Sequence, residues 1–212
     1  MNAIVLPSGR ITNPDQRLLT FCRAEYAYYD AIPSTDANHI EPLDVLVTVA
    51  MNSFVNDAAK VRRVHGGLAA NCDALLPALP ESADLVELDR WREPLRDLLH
   101  AAIQAPSVLI PVATKVLHRK RRSLIPMLDN VVLGHYLSTD EHRMLLPRTQ
   151  DKGKGADVAM IALDLFRADL VHADGAIDGL RTSLADDGFM LSPVRILEIL
   201  VWLEVEPSGY YR

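Results

Sequence analysis

Apolar residues recur at three- and four-residue intervals along nearly the whole chain, and no clean run of alternating apolar and polar residues interrupts them. That period belongs to a helix with one buried face, so the chain must bury helices against helices. Prolines and short polar breaks divide the pattern. Residues 1–16 are punctuated by Pro7, Gly9 and Pro14 and read as a loose arm. Residues 17–30 predict an amphipathic helix stopped by Pro33. Pro42 then opens LDVLVTVAMNSF, which is apolar nearly all round and predicts a central buried helix, with a strand over 46–50 as the alternative.

Asn56 and Asp57 are caps for a helix over 57–65 that Gly66-Gly67 would end, followed by a shorter one over 68–76. Further helices are expected over 91–104, 107–122 and 126–137. The stretch PRTQDKGKG at 147–155 is the most linker-like in the chain. Beyond it come helices over 156–172, 174–185 and 193–205. The last is capped by Ser192, opened by Pro193 and closed by Pro207-Ser208-Gly209. The expected fold is all-α, a globular bundle of about nine helices with strands in less than about a tenth of residues. It forms either a single domain over 1–212 or two helical lobes, 17–146 and 156–206, joined by the basic loop.

Composition bounds the function classes. With 49% hydrophobic and 24% charged residues in 212, the chain can fill a sizeable core, and disordered or fibrous classes are excluded. The longest uncharged stretch, 101–114, is too short for a bilayer span of roughly 20 residues. The first fifteen residues show no basic segment followed by an apolar run, so no secretory signal is expected. Cys22 and Cys72 make neither a disulfide framework nor a zinc motif. These features predict a reduced, cytoplasmic protein that does not engage a membrane; a homo-oligomer is left open. A net charge of −6 argues against a general nucleic-acid coat, though not against a local basic site.

Phosphate loops, HExxH, CxxC and GxSxG are absent, and seven histidines lack metal-ligand spacing. No cofactor and no metal are expected. Asp157 and Asp164, seven apart, share one helix face, while Asp169 is turned about 140° away. Glu198 and Glu204 fall on different faces of their helix, so no second acidic row opposes the first. A solvated acidic face is the simpler reading.

The stretch VLIPVATKVLHRKRRSLIPMLDNVVLGHYL, 108–137, carries the chemistry. Lys115, His118, Arg119 and Arg122 fall within about a quarter of a helical circumference, with Ala113, Val116 and Leu117 on the other side. Lys120 would point toward the apolar side, so the helix is expected to end near 119–121. Five Lys/Arg between 115 and 122, in an acidic chain, suit an anion, and phosphate is the usual one. A solvated face paired with acids elsewhere is the alternative. Pro126 is read as the start of the next helix, with Asp129 in its first turn. There the helix dipole favours a carboxylate, while Leu133 and Tyr136 beside it would desolvate Asp129 and suit it to proton handling.

The order helix, basic turn, Ile-Pro-x-x-Asp, apolar helix resembles the segment after the hairpin in helix-hairpin-helix DNA glycosylases. That resemblance implies a glycosylase-like fold, with Pro126 and Asp129 at the positions of a Pro-x-Asp whose aspartate is catalytic. Two residues separate them here instead of one, and Ile110-Pro111-Val112-Ala113 replaces the hairpin glycines. Over most of its length the chain is similar to a family of uncharacterised bacterial proteins. Tyr29-Asp30, IEPLDVL at 40–46, KVLHRKRRSLIPMLD at 115–129 and RILEILVW at 195–202 carry that similarity. The expectation is a DNA- or nucleotide-binding helical protein, catalytically degenerate or of unassigned activity. Its rivals are an active base-excision glycosylase using Asp129, a non-enzymatic interaction module and a small-molecule enzyme reusing the same cleft.

Overall fold

The computed structural model describes residues 2–51, 53, 55–139, 141–142, 144–145 and 151–205. Nine α-helices are present among them: α1 (Pro14–Glu25), α2 (Pro42–Val47), α3 (Ala58–Cys72), α4 (Leu88–Gln104), α5 (Ile110–Lys120), α6 (Asn130–Tyr136), α7 (Gly155–His172), α8 (Asp174–Asp186) and α9 (Pro193–Val205). The protein is mostly helical, as the periodicity predicts. One hydrophobic core runs from Ile4 and Leu6 through Leu98, Leu117 and Phe166 to Leu200 and Leu203. α4 packs on α3, α5 and α7, while α9 packs on α1, α6 and α8. The ending expected at Pro207-Ser208-Gly209 lies outside the described residues.

The arm expected over 1–16 is structured. β1 (Ala3–Leu6) and β2 (Gly9–Thr12) pair antiparallel across a Pro7-Ser8 turn, and α1 begins three residues earlier than its apolar period suggests. A four-residue strand is too short to display alternation. Only Ile4, Leu6 and Ile11 of the hairpin are buried. The turn is fastened by Asp169, which accepts the Ser8 amide at 3.0 Å, the Ser8 hydroxyl, and the Tyr136 hydroxyl at 3.0 Å. Asp169 is fully buried. Asp157 and Asp164, on their common face, meet a row of arginines on α4 at 2.8 Å (Arg96) and 2.6 Å (Arg92).

Two expected boundaries are corrected. α2 stops at Val47 and passes into a 3-10 turn over Thr48–Met51, leaving Leu43, Leu46 and Val49 exposed, so this apolar segment is peripheral and not the central helix. α3 continues straight through Gly66-Gly67 to Cys72. Gly67 is there for space: a Cβ on it would lie 2.8 Å from Pro106 Cδ. At the other end of the chain the sequence reading holds. Ser192 caps α9 by accepting the Arg195 amide at 3.1 Å.

Candidate functional site

α5 ends at Lys120, as the misplaced lysine suggests, and the chain turns through Arg121 and Arg122. The expected exposed basic face is not there. Lys115, His118, Arg119, Lys120 and Arg121 are all buried. A buried cation is costly unless its charge and its donors are met, so the partners decide what these residues do.

Most of the partners are backbone carbonyls of the connection between α1 and α2. Arg119 donates to Pro33 O at 2.7 Å and Lys120 to Asp36 O at 2.8 Å. Arg122 reaches Asp30 O and Ile32 O at 3.3 and 3.2 Å. Arg121 uses all five of its N–H groups: on Ala37 O, Lys120 O, Asn38 Oδ1 and Leu76 O at 2.6–2.8 Å, and on Leu79 O. That connection lacks helix or sheet over most of its length, and its carbonyls need donors from elsewhere. Asp44, fully buried, closes this half of the network with Arg119 Nε at 3.1 Å and Lys120 Nζ at 2.5 Å. Burial pushes its carboxyl up, but hydrogen bonds from Lys120, the Glu41 amide and Thr35 outweigh that and hold it below its ordinary range.

Lys115 and His118 face a second cluster, around Arg195 of α9. Arg195 grips Asp30 through two bonds, at 2.9 and 3.0 Å, and Glu198 through a third at 2.6 Å, between the rings of Phe21 and Tyr29. Tyr29 donates to Lys115 O at 2.7 Å, and Lys115 Nζ to Met51 O at 2.6 Å. The His118 ring meets Ile125 O at 2.7 Å. Burial draws His118 down to about 3, helped by Arg195, so the ring is neutral. Burial pushes Glu198 up to about 7 against the pull of Arg195. Lys115 is drawn below the lysine range by burial, against the negative charges of Asp129 and Glu198.

Asp129 is the residue before α6, not a member of its first turn. Its Oδ1 accepts the Val131 and Val132 amides at 2.9 and 3.0 Å, which satisfies two otherwise orphaned donors. The helix starts at Asn130, four residues beyond the proline expected to open it. Asp129 is half-buried and close enough to Lys115 and Glu198 for its charge to act on both.

Where the first cluster reaches the surface there is a pocket of about 130 Å³, lined by Ser34, Ala37, Glu81, Arg119, Lys120, Arg122 and Ser123. Arg119 Nη1 is buried and finds no acceptor among the described residues. The structure thus splits the expected basic face. Arg119 and Arg122 line the pocket; Lys115 and His118 belong to the Arg195 cluster. Sequence reading did not single out Asp30, Asp44, Arg195 or Glu198 as site residues. The signal was nevertheless present, since the four segments that carry the family similarity are the four that supply this network. Among the described residues no group of three His, Cys, Asp or Glu could hold a metal ion, and no helix is long and apolar enough to cross a membrane. Cys22 and Cys72 are free and buried, their thiols pushed up to about 12 chiefly by burial.

The chain is therefore a mostly helical protein built around a buried basic segment that opens into a cationic pocket. It belongs to the family of unknown function DUF6308, whose family model matches residues 17–205. No curated protein and no solved structure matches it.

Proposed function

We propose that the protein binds a small phosphate-bearing ligand, of the nucleotide class, in the pocket lined by Arg119, Lys120 and Arg122. One observation carries this reading: two guanidinium groups, Arg119 and Arg122, line the pocket with more donors than protein acceptors among the described residues, although Arg119 Nη1 is itself covered and meets an anion only if its side chain shifts. An unspent guanidinium donor is expensive in a protein interior and cheap once an anion reaches it. Arg122 adds to the supply, since only two of its five donors meet protein acceptors among the described residues. Lys120 contributes charge alone, its three donors being spent on Thr35, Asp36 and Asp44. The volume matches roughly four waters at about 30 Å³ each, room for a phosphate and an adjoining carbon or two. The remainder of a nucleotide would lie outside.

The same burial argues against a duplex-binding face, which needs its cations exposed and side by side. Calorimetric titration with inorganic phosphate and with a nucleoside monophosphate tests the proposal. Saturable binding at one site, weakened at least tenfold in Arg122→Gln, is the expected result. Absence of binding by both ligands, or tight salt-sensitive binding to duplex DNA alone, would overturn it.

The glycosylase-like reading of 108–137 is a second proposal, supported by the place of Asp129, near enough to the Lys115 amine and the Glu198 carboxyl for its charge to act on both. On this reading Asp129→Asn abolishes turnover of an abasic-site or damaged-base oligonucleotide and leaves the fold intact. If Asp129 only caps α6, the wild-type protein shows no such turnover and Asp129→Ala costs about 1 kcal/mol of stability.

A further inference from the structure

The pocket holds more than unspent donors. Glu81 lines it from the opposite sign of charge, and its exposed carboxylate makes no hydrogen bond or ion pair among the described residues. It therefore stays available although three cations line the same small space. Among the described residues the Ser123 hydroxyl is likewise unengaged, while its backbone carbonyl accepts from the Leu85 amide. Ser34 spends its hydroxyl proton on Arg119 O at 3.0 Å and keeps its lone pairs. The pocket thus presents a donor side, Arg122 and Ser123 with the covered Arg119 guanidinium behind them, and a strong acceptor, Glu81.

A fully ionised oxyanion, such as a phosphomonoester dianion without a further donor, would satisfy the donors and be repelled by the carboxylate. A ligand that complements both must carry, close to its anionic group, a donor of its own. Glu81 and the two arginines line one small pocket of about 130 Å³, so a donor on a carbon at or next to the one bearing the phosphate lies within its reach. A hydroxyl group is the smallest donor that meets this requirement.

Resting on the anion reading above, we propose that the ligand is a phosphomonoester with a hydroxyl group on the carbon neighbouring the phosphate-bearing one, and that Glu81 is the specificity residue accepting from that hydroxyl. Arg119 and Arg122 hold the phosphate oxygens, and Ser123 lies between the two functions. A vicinal phosphate and hydroxyl occur together in polyol phosphates and in ribonucleoside 3′-phosphates.

Two pairs of probes differ only in that hydroxyl: adenosine 3′-monophosphate against its 2′-deoxy analogue, and 1,2-propanediol 1-phosphate against propyl phosphate. Calorimetric titration of the full chain with each, beside inorganic phosphate, should give about a tenfold preference for the hydroxylated member, the scale of one hydrogen bond to a charged group. In Glu81→Gln, an exposed position where the fold is not at stake, the preference should shrink to about twofold or less. Affinity for inorganic phosphate should stay level or rise in that variant, because a repelling charge has gone. Equal affinities within both pairs in the wild-type protein, or a preference untouched by Glu81→Gln, overturn the role of Glu81 while leaving the anion site standing. If inorganic phosphate and all four esters fail to bind, the anion reading itself falls, and this inference with it.

Discussion

Two buried side chains, His118 and Glu198, set opposite limits on the pH at which this protein is most stable. His118 has a folded pKa of about 3 against an ordinary 6.5, because its buried ring resists charge. Its contribution is complete above 6.5 and is lost as the pH falls toward 3. Glu198 is raised to about 7 from 4.5, chiefly by burial, so its contribution is complete below 4.5 and is lost as the pH rises through about 7. Between 4.5 and 6.5 the two oppose each other. Stability should therefore fall below 4.5, fall again from 6.5 to about 7, and change little between. Urea unfolding across that range checks it, and Glu198→Gln should abolish the fall on the alkaline side and, by leaving His118 unopposed, turn the level stretch between 4.5 and 6.5 into a rise with pH. An alkaline fall unchanged in the variant would assign it to another group. None of this was readable from residue spacing. Arg195 and Glu198 pair at helical spacing, but Asp30 and Asp44 lie up to 168 positions away, and only the fold brings Asp30 to that pair.

At the scale of elements, Gly66 and Gly67 show where sequence signals were legible and where they were not. A glycine pair after a helical period reads as a stop, since glycine costs roughly 1 kcal/mol relative to alanine in a helix interior. Nothing local distinguishes a stop from a close approach, and α3 runs through because α3 meets Ala105-Pro106 at Gly67. A Cβ at Gly66 would touch nothing within 4 Å, whereas one at Gly67 would collide with Pro106 and lie 3.1 Å from Ala105 Cβ. Gly66→Ala should thus raise stability by about 0.5–1 kcal/mol. Gly67→Ala should lower it by about 1–3 kcal/mol, as overpacking does. Thermal unfolding of the two variants side by side measures the contrast, and equal effects would refute it. Where a period extended over several turns, as in α4, α7 and α9, or a cap was explicit, as at Ser192, the sequence sufficed. Short elements failed it: the hairpin lacks the length to alternate, and α2 is apolar on a side that the fold leaves exposed.

For the molecule as a whole, the basic segment acts first as a scaffold. Its cations stand in for the missing secondary structure between α1 and α2, tie that connection to α5, and through Asp30 and Arg195 tie both to α9. A run of Lys and Arg suggests a surface because cations usually are exposed, and here that prior misleads. What the charge pattern did indicate is a local excess of donors over internal acceptors, and that excess surfaces at the pocket lined by Arg119 and Arg122. The most direct test is a crystal of the protein soaked with tungstate, a tetrahedral oxyanion located by its anomalous signal. The account predicts one strong peak in the pocket, with oxygens in hydrogen-bond reach of Arg119 and Arg122. An empty pocket in a crystal whose channels leave it open would contradict it.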